Sequence, residues 1–262
     1  MGKRERYEPG TFCWVDLATT DPEGARTFYG ELFGWEPEDL PAGEAGTYTM
    51  LRLDGDDVCA LYELEAERRD QGIPSHWLSY VSVEDVDAAA ARAEELGGAA
   101  YGGAFDVMGM GRMAVIGDPA GAVLAAWQPG SHIGAGRVND VACMGWNELQ
   151  TRDPGAASAF YSGLFGWGTE PIEQDGSVVY TTIQNAGLQN GGFMPLSDQH
   201  GDAPSFWLPY FTVVSCDAAV AKVRELGGET LAGPMDLPSG RIAVVNDPQG
   251  AAFAIFEGET DD

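Results

Sequence analysis

The chain repeats itself. Residues 12–35 read FCWVDLATTDPEGARTFYGELFGW and residues 144–167 read MGWNELQTRDPGAASAFYSGLFGW. Trp14 falls on Trp146, Asp21-Pro22 on Asp153-Pro154, Phe28-Tyr29 on Phe160-Tyr161 and Trp35 on Trp167, each pair 132 positions apart. The match resumes at PSHWLSYVSVEDVDAAAARAEELGG (74–98) against PSFWLPYFTVVSCDAAVAKVRELGG (204–228), and closes with GRMAVIGDPAGAVLAAW (111–127) against GRIAVVNDPQGAAFAIF (240–256). The small drift in offset places deletions in loops, where they are tolerated. A duplication of this length requires one fold built twice. The 262 residues therefore divide into a first module (1–130), a Gly-rich linker (131–140) and a second module (141–262).

Each module has one internal grammar. An alternating run such as Phe12-Trp14-Asp16, interleaved with Cys13-Val15-Leu17, reads as a strand. Asp21 as N-cap and Pro22 at the first helical position then start a helix. Ala25, Phe28, Tyr29, Leu32 and Phe33 share one face of it, and Gly34 ends it as a left-handed cap. Strands are predicted at 48–53 and 57–64. The second half repeats the plan, with a strand at 77–83, a helix from Asp85 to Leu96, and strands near 100–107, 112–117 and 122–128. Strand, helix, then strands gives four βαβββ units in all.

A βαβββ unit with FYxxLFGW closing its helix, paired with a unit ending in GR-x-A-V-x-x-DP-x-G, resembles the vicinal-oxygen-chelate superfamily. That superfamily groups glyoxalase, bleomycin-resistance and extradiol-dioxygenase proteins, and the resemblance covers nearly the whole chain twice. More narrowly, the linker SHIGA (131–135) and the openings W-V-D-L and W-N-E-L resemble tandem double-module actinobacterial glyoxalase-like proteins of the hydroxylase type. The resemblance implies an α+β fold in which two βαβββ units form a curved mixed sheet, a cup that holds the ligand, with helices outside it.

Metal-using members place a His on the first strand, a His early in the fifth and a Glu in the eighth. Carried over to this chain, those positions fall on Trp14 and Trp146, on Leu78 and Leu208, and on Ala125 and Ala254. None of these side chains ligates a metal. A slip of two residues on the fifth strand would bring His76 to that position. Of the three histidines, His132 lies in the linker and His200 in a polar loop, and His76 aligns with Phe206. No metal or other cofactor is expected.

Trp14 and Asp16 share a strand face, as do Trp146 and Glu148, because side chains alternate along a strand. Trp77 and Trp207 recur on the fifth strands, with Tyr80 and Tyr210 on the opposite face. Two roles are open for the tryptophans: aromatic walls for a planar or cationic ligand, or packing against the helices. Asp16 and Glu148 are costly on an inner strand face unless paired or wet. Buried, they would have raised pKa values and suit a general base. The alternative is an ion pair with Arg112 or Arg241. The candidate residues are thus Asp16 and Glu148 for catalysis, and Trp14, Trp77, Trp146, Trp207 and His76 for ligand binding.

With 14 basic and 41 acidic residues, the formal net charge of −27 repels phosphate backbones and anionic lipids, so neither nucleic acid nor membrane is an expected partner. No apolar stretch approaches the ~20 residues of a membrane helix, and no apolar secretory segment follows the charged start, which predicts a cytoplasmic protein. The four cysteines, Cys13, Cys59, Cys143 and Cys216, show no CxxC or zinc-finger spacing and read as small buried side chains. The expected role is metal-free binding of an aromatic antibiotic-like or reactive metabolite in a cup, in a monomer or homodimer. The alternative is an enzyme of the superfamily, a lyase, isomerase or oxygenase, metal-dependent or not.

Overall fold

A computed structural model describes residues 2–43, 46–197, 201 and 203–260. The first module runs β1 (Phe12–Thr19), α1 (Pro22–Phe33), β2 (Glu36–Pro41), β3 (Thr47–Leu53), β4 (Asp56–Glu63), α2 (Ala66–Asp70), β5 (His76–Ser82), α3 (Val86–Glu95), β6 (Ala99–Asp106), β7 (Gly111–Gly117) and β8 (Val123–Pro129). The second runs β9 (Met144–Thr151), α4 (Pro154–Phe165), β10 (Gly168–Gln174), β11 (Ser177–Asn185), β12 (Leu188–Pro195), β13 (Phe206–Thr212), α5 (Cys216–Glu225), β14 (Glu229–Leu237), β15 (Gly240–Asn246) and β16 (Ala252–Gly258). The short α2 lies outside the predicted elements. Its run of Ala, Glu and Arg favours a helical turn in the connection between units.

The punctuation residues act as the sequence predicts. Asp21 accepts a hydrogen bond from the Gly24 amide at 3.0 Å, and Gly34 closes α1 with φ 74°. Asp153 and Gly166 do the same for α4. Each module forms its own eight-stranded mixed sheet, in the order β2-β3-β4-β1-β5-β8-β7-β6 and the same order repeated in the second module. The two units of a module join where β1 runs antiparallel to β5, and β9 to β13.

Helices α1, α3, α4 and α5 lie outside the cups, but that outside is the middle of the molecule. From α1, Phe28 packs 6.4 Å from Phe253 of β16, and Phe33 packs 5.4 Å from Phe211 of β13. One apolar core runs through both modules, so neither module owns a complete interior. The motif residues make the join. Tyr29 of FYxxLFGW donates to Asp247 in the second module's DP-x-G turn, and Tyr161 donates to Asp118 in the first module's turn. Trp35 donates to the Ala142 carbonyl just before β9, and Trp167 to the Gly10 carbonyl just before β1. The helix of each module thus fixes the entry of the other's first strand.

The segment expected as a linker is built into the first module. Its Ala135 amide donates to the Cys13 carbonyl at 2.8 Å, and its Gly136 amide donates to the Asp57 carbonyl at 2.8 Å. At Gly134, with φ +111°, a Cβ would strike the Cys13 carbonyl, so only glycine lets the segment lie this close to β1.

Candidate functional site

The helix-free face of each sheet carries the same polar constellation. In the first module Asp16, 1% exposed, accepts hydrogen bonds on Oδ2 from Tyr80 at 2.7 Å and Tyr48 at 3.0 Å. The Trp14 indole donates to the Tyr48 hydroxyl at 3.0 Å. In the second module Glu148, 4% exposed, accepts on Oε1 from Tyr210 at 2.8 Å and from the Gln150 amide at 2.5 Å. Tyr180 also hydrogen-bonds Glu148, and Trp146 donates to Tyr180 at 2.9 Å. Each cup floor is therefore a carboxylate held between two tyrosines, one of them fixed by a tryptophan.

Sheet order explains the spacing. β4 lies between β1 and β3, so Tyr48 must reach over β4 to touch Asp16. The β4 residue level with Asp16 is the small Ala60. In the second module the corresponding residue is Gly192, and a Cβ there would run into the Tyr180 hydroxyl. The longer Glu148 is matched by the smaller neighbour.

Burial disfavours the charged carboxylates and pushes both Asp16 and Glu148 up to about 7, against the pull of the tyrosine hydrogen bonds. Burial also raises Tyr48, Tyr80 and Tyr210, with the neighbouring carboxylate acting in the same direction, so they remain neutral donors. One Asp16 oxygen, Oδ1, is buried with no hydrogen-bond partner among the described residues. A carboxyl group near half-ionisation at neutral pH, beside fixed donors, can accept a hydrogen bond or a proton from a ligand.

The ion pair considered for these carboxylates does not form. Arg112 pairs with Asp87, and Arg241 with Asp217 and Asp236, all near the surface. The tyrosines satisfy the carboxylates instead.

The other expected site residues separate by face. Trp14 and Trp146 lie on the cup face. Trp77 and Trp207, expected as ligand-binding walls, point the opposite way: Trp77 donates to Tyr29 at 3.1 Å and Trp207 to Tyr161 at 3.0 Å, inside the helix-packed core. Their role is packing. His76 sits on β5 level with Ala18, one row beyond the pairing of Leu78 with Asp16, and its Nδ1 lies 2.8 Å from the Pro74 carbonyl oxygen. His200 lies outside the described residues. Tyr48, Tyr80, Tyr180 and Tyr210 are site residues that the sequence reading does not single out. Their signal is present in the chain, since Tyr48-Thr49 repeats as Tyr180-Thr181, and Tyr80 and Tyr210 alternate away from Trp77 and Trp207.

The positions carried over from metal-using relatives, Trp14, Leu78 and Ala125, offer no donor atom for a metal. Around them Tyr80 lies level with both Trp14 and Ala125, and Leu78 lies level with Asp16. The second module presents Trp146, Tyr210 and Ala254 in the same row. Neither an indole N–H nor a methyl group can ligate a cation, and the tyrosine in each row is committed to its carboxylate. Among the described residues no three His, Cys, Asp or Glu side chains converge. The donor set does not fit the two-histidine, one-carboxylate centre of metal-using relatives.

Comparisons with known proteins agree with this architecture. Residues 11–125 match the model of the glyoxalase/bleomycin resistance protein/dioxygenase superfamily, and residues 146–256 match a glyoxalase-like domain. CFP32 of Mycobacterium tuberculosis is 39% identical over 98% of both chains. The anthracycline biosynthesis protein DnrV of Streptomyces peucetius is 34% identical over 96% of this chain and 94% of its own. Among solved structures, the Mn(II)-bound glyoxalase of Novosphingobium aromaticivorans superposes with a TM-score of 0.66 at 15% identity, covering 97% of this chain and 84% of that one. The 2,3-dioxygenase LapB of Pseudomonas sp. KL28 gives 0.64 at 12% identity, covering 97% and 95%. At these identities the structural likeness concerns the fold alone.

Proposed function

Since the chain belongs to the glyoxalase/bleomycin resistance protein/dioxygenase superfamily, we propose that it binds an aromatic small molecule in a cup, against the tryptophan and over the tyrosine-held carboxylate, without a metal at that position. The observation that carries this reading is the duplicated floor: Trp14, Tyr48, Asp16 and Tyr80 recur as Trp146, Tyr180, Glu148 and Tyr210 with the same hydrogen bonds. An indole offers a face or edge for a flat ring, and the carboxylate offers an acceptor for a hydroxyl. Similarity to an anthracycline biosynthesis protein supports a fused-ring aromatic ligand.

A second reading is enzymatic, and the raised pKa of Glu148 favours it. A base near 7 can take a proton from an acidic C–H or O–H of such a ligand, while Tyr180, Tyr210 and Gln150 hold the carboxylate in place. The metal-dependent variants of this reading lack, among the described residues, the donor set they need.

Titration with the dihydroxyanthraquinone quinizarin, followed by tryptophan fluorescence and calorimetry, tests the binding reading. Saturable micromolar binding supports it; absence of binding across hydroxylated aromatic probes refutes it. Glu148→Gln with binding retained and turnover of a candidate substrate abolished would select the enzyme.

A further inference from the structure

We infer that the two cups are not equivalent: the second cup takes the aromatic ligand, one molecule per chain, whereas the first is filled by the chain's own His132. The inference rests on the proposed binding function but adds which cup is used and why.

The repeats differ in how their floors are covered. Trp14 and Trp127 are 3% and 4% exposed, while their counterparts Trp146 and Phe256 are half-buried. What covers the first pair is the segment between the modules. The His132 ring stands edge-on to Trp14, with centroids 4.8 Å apart and planes at 88°, and 5.9 Å from Trp127. Its backbone is clamped on both sides: the Trp127 indole donates to the His132 carbonyl at 3.0 Å, and the His132 amide donates to the Met110 carbonyl at 3.0 Å. Burial lowers the pKa of this imidazole, so the plug is a neutral flat ring.

The second cup cannot build the same clamp. Phe256 stands where Trp127 stands in the first and has no N–H to hold a returning segment. Around its floor the pairing register sets apolar side chains at the two sheet edges. Ile172, 48% exposed, is level with Tyr180, and Met235, 40% exposed, is level with Ile242. An aqueous face lined this way gains by covering.

The plug also shows what the second cup would hold. In the first cup a flat uncharged ring packs edge-to-face on the floor tryptophan. The matching occupant of the second cup is a flat, largely apolar ring system placed edge-on to Trp146, carrying a hydrogen-bond donor for Glu148. A strongly hydrated or anionic compound fits neither the apolar rim nor the carboxylate.

Two measurements on the full chain test this. The first needs no ligand: acrylamide, a neutral quencher, is expected to reach Trp146 and not Trp14. Trp146→Phe should then remove a quenchable component of the fluorescence and Trp14→Phe should not. Equal quenching of both tryptophans overturns the inference, whatever the fate of the binding reading. The second is calorimetry with quinizarin, with folding of each variant checked by circular dichroism. The expected result is one molecule per chain, at least tenfold weaker binding in Trp146→Leu, and a second molecule bound by His132→Ala. Two molecules bound by the unaltered chain, or binding indifferent to Trp146→Leu, overturns the inference while leaving the proposed function standing. Quenching asymmetry without binding of any aromatic probe overturns the proposed function instead, and with it the assignment of a ligand to this cup.

Discussion

The Tyr29 hydroxyl of the first module lies 3.0 Å from Asp247 Oδ2 of the second, and the relationship is returned by Tyr161 and Asp118 at 3.1 Å. Each aspartate spends its other oxygen on two backbone amides of its own turn: Ala120 and Ala122 for Asp118, Gln249 and Ala251 for Asp247. One residue therefore shapes a turn and docks the opposite module. Tyr29→Phe leaves Asp247 short of a donor and removes the acceptor of the Trp77 indole. A loss of about 1–3 kcal/mol is expected for such a buried deletion, read from urea denaturation. Combined with Asp247→Asn, the loss should be less than additive.

The shared core predicts that the modules do not stand alone. A fragment of residues 1–130 exposes Phe28 and Phe33, which pack on Phe253 and Phe211 in the whole chain. It should lack a cooperative thermal transition, and recover one when mixed with the complementary fragment. A sharp transition for the isolated fragment would disprove the dependence.

Stability should decline as pH rises through neutrality. In the unfolded chain Asp16 and Glu148 titrate near ~4, whereas burial raises both to about 7 in the folded chain. The fold thus prefers them protonated. Their contribution is complete below roughly pH 4 and is lost as pH climbs through about 7, each tenfold difference in proton affinity being worth roughly 1.4 kcal/mol. Asp118 and Asp247 are raised in the same direction by burial. Urea midpoints at pH 5 and pH 8 should differ accordingly, and Asp16→Asn with Glu148→Gln should shrink the difference.

Gly192→Ala tests how Tyr180 is seated. The added Cβ would meet the Tyr180 hydroxyl and drive the ring away from Glu148. With one donor fewer, the Glu148 pKa should rise further above about 7. Carbon-13 titration of the glutamate carboxyls would detect the rise, and an unchanged Glu148 signal would show that the ring has another way across.

Removing metal should change nothing at the cups. Exhaustive dialysis against a chelator is expected to leave both the urea midpoint and quinizarin binding unaltered, because Trp14, Leu78 and Ala125 stand where metal-using relatives carry ligands and, among the described residues, no three His, Cys, Asp or Glu side chains converge. Loss of a stoichiometric iron, zinc, nickel or manganese ion together with binding would reverse that reading.

Much of the fold is legible in the sequence because local signals agree. Asp21-Pro22 and Gly34 bracket α1 where the sequence places it, and the repeat carries the assignment over to Asp153 and Gly166. The face of Asp16 and Glu148 follows from alternation alone. Alternation also puts Trp14 and Trp146 on that face; that Trp77 and Trp207 turn to the helices instead does not follow from it, because a strand buried on both faces puts apolar residues at every position. Nothing local distinguishes Trp77 in the helix-packed core from Trp14 in the cup. The tyrosines that hold the carboxylates come from β3 and β5, and their convergence depends on strand order and on the small residue between them. The helices are expected outside the cups, but the sharing of one interior by both modules rests on packing between segments distant in sequence.

A symmetric dimer of identical chains must make every substitution twice, so neither of its two sites can change without the other. Here Tyr29 clasps Asp247 and Tyr161 clasps Asp118 within one chain, and the pairs of a two-fold assembly become four separately encoded residues. The same freedom extends to the cups. One floor can carry aspartate beside Ala60 and the other glutamate beside Gly192, and each can be altered without its twin having to tolerate the change.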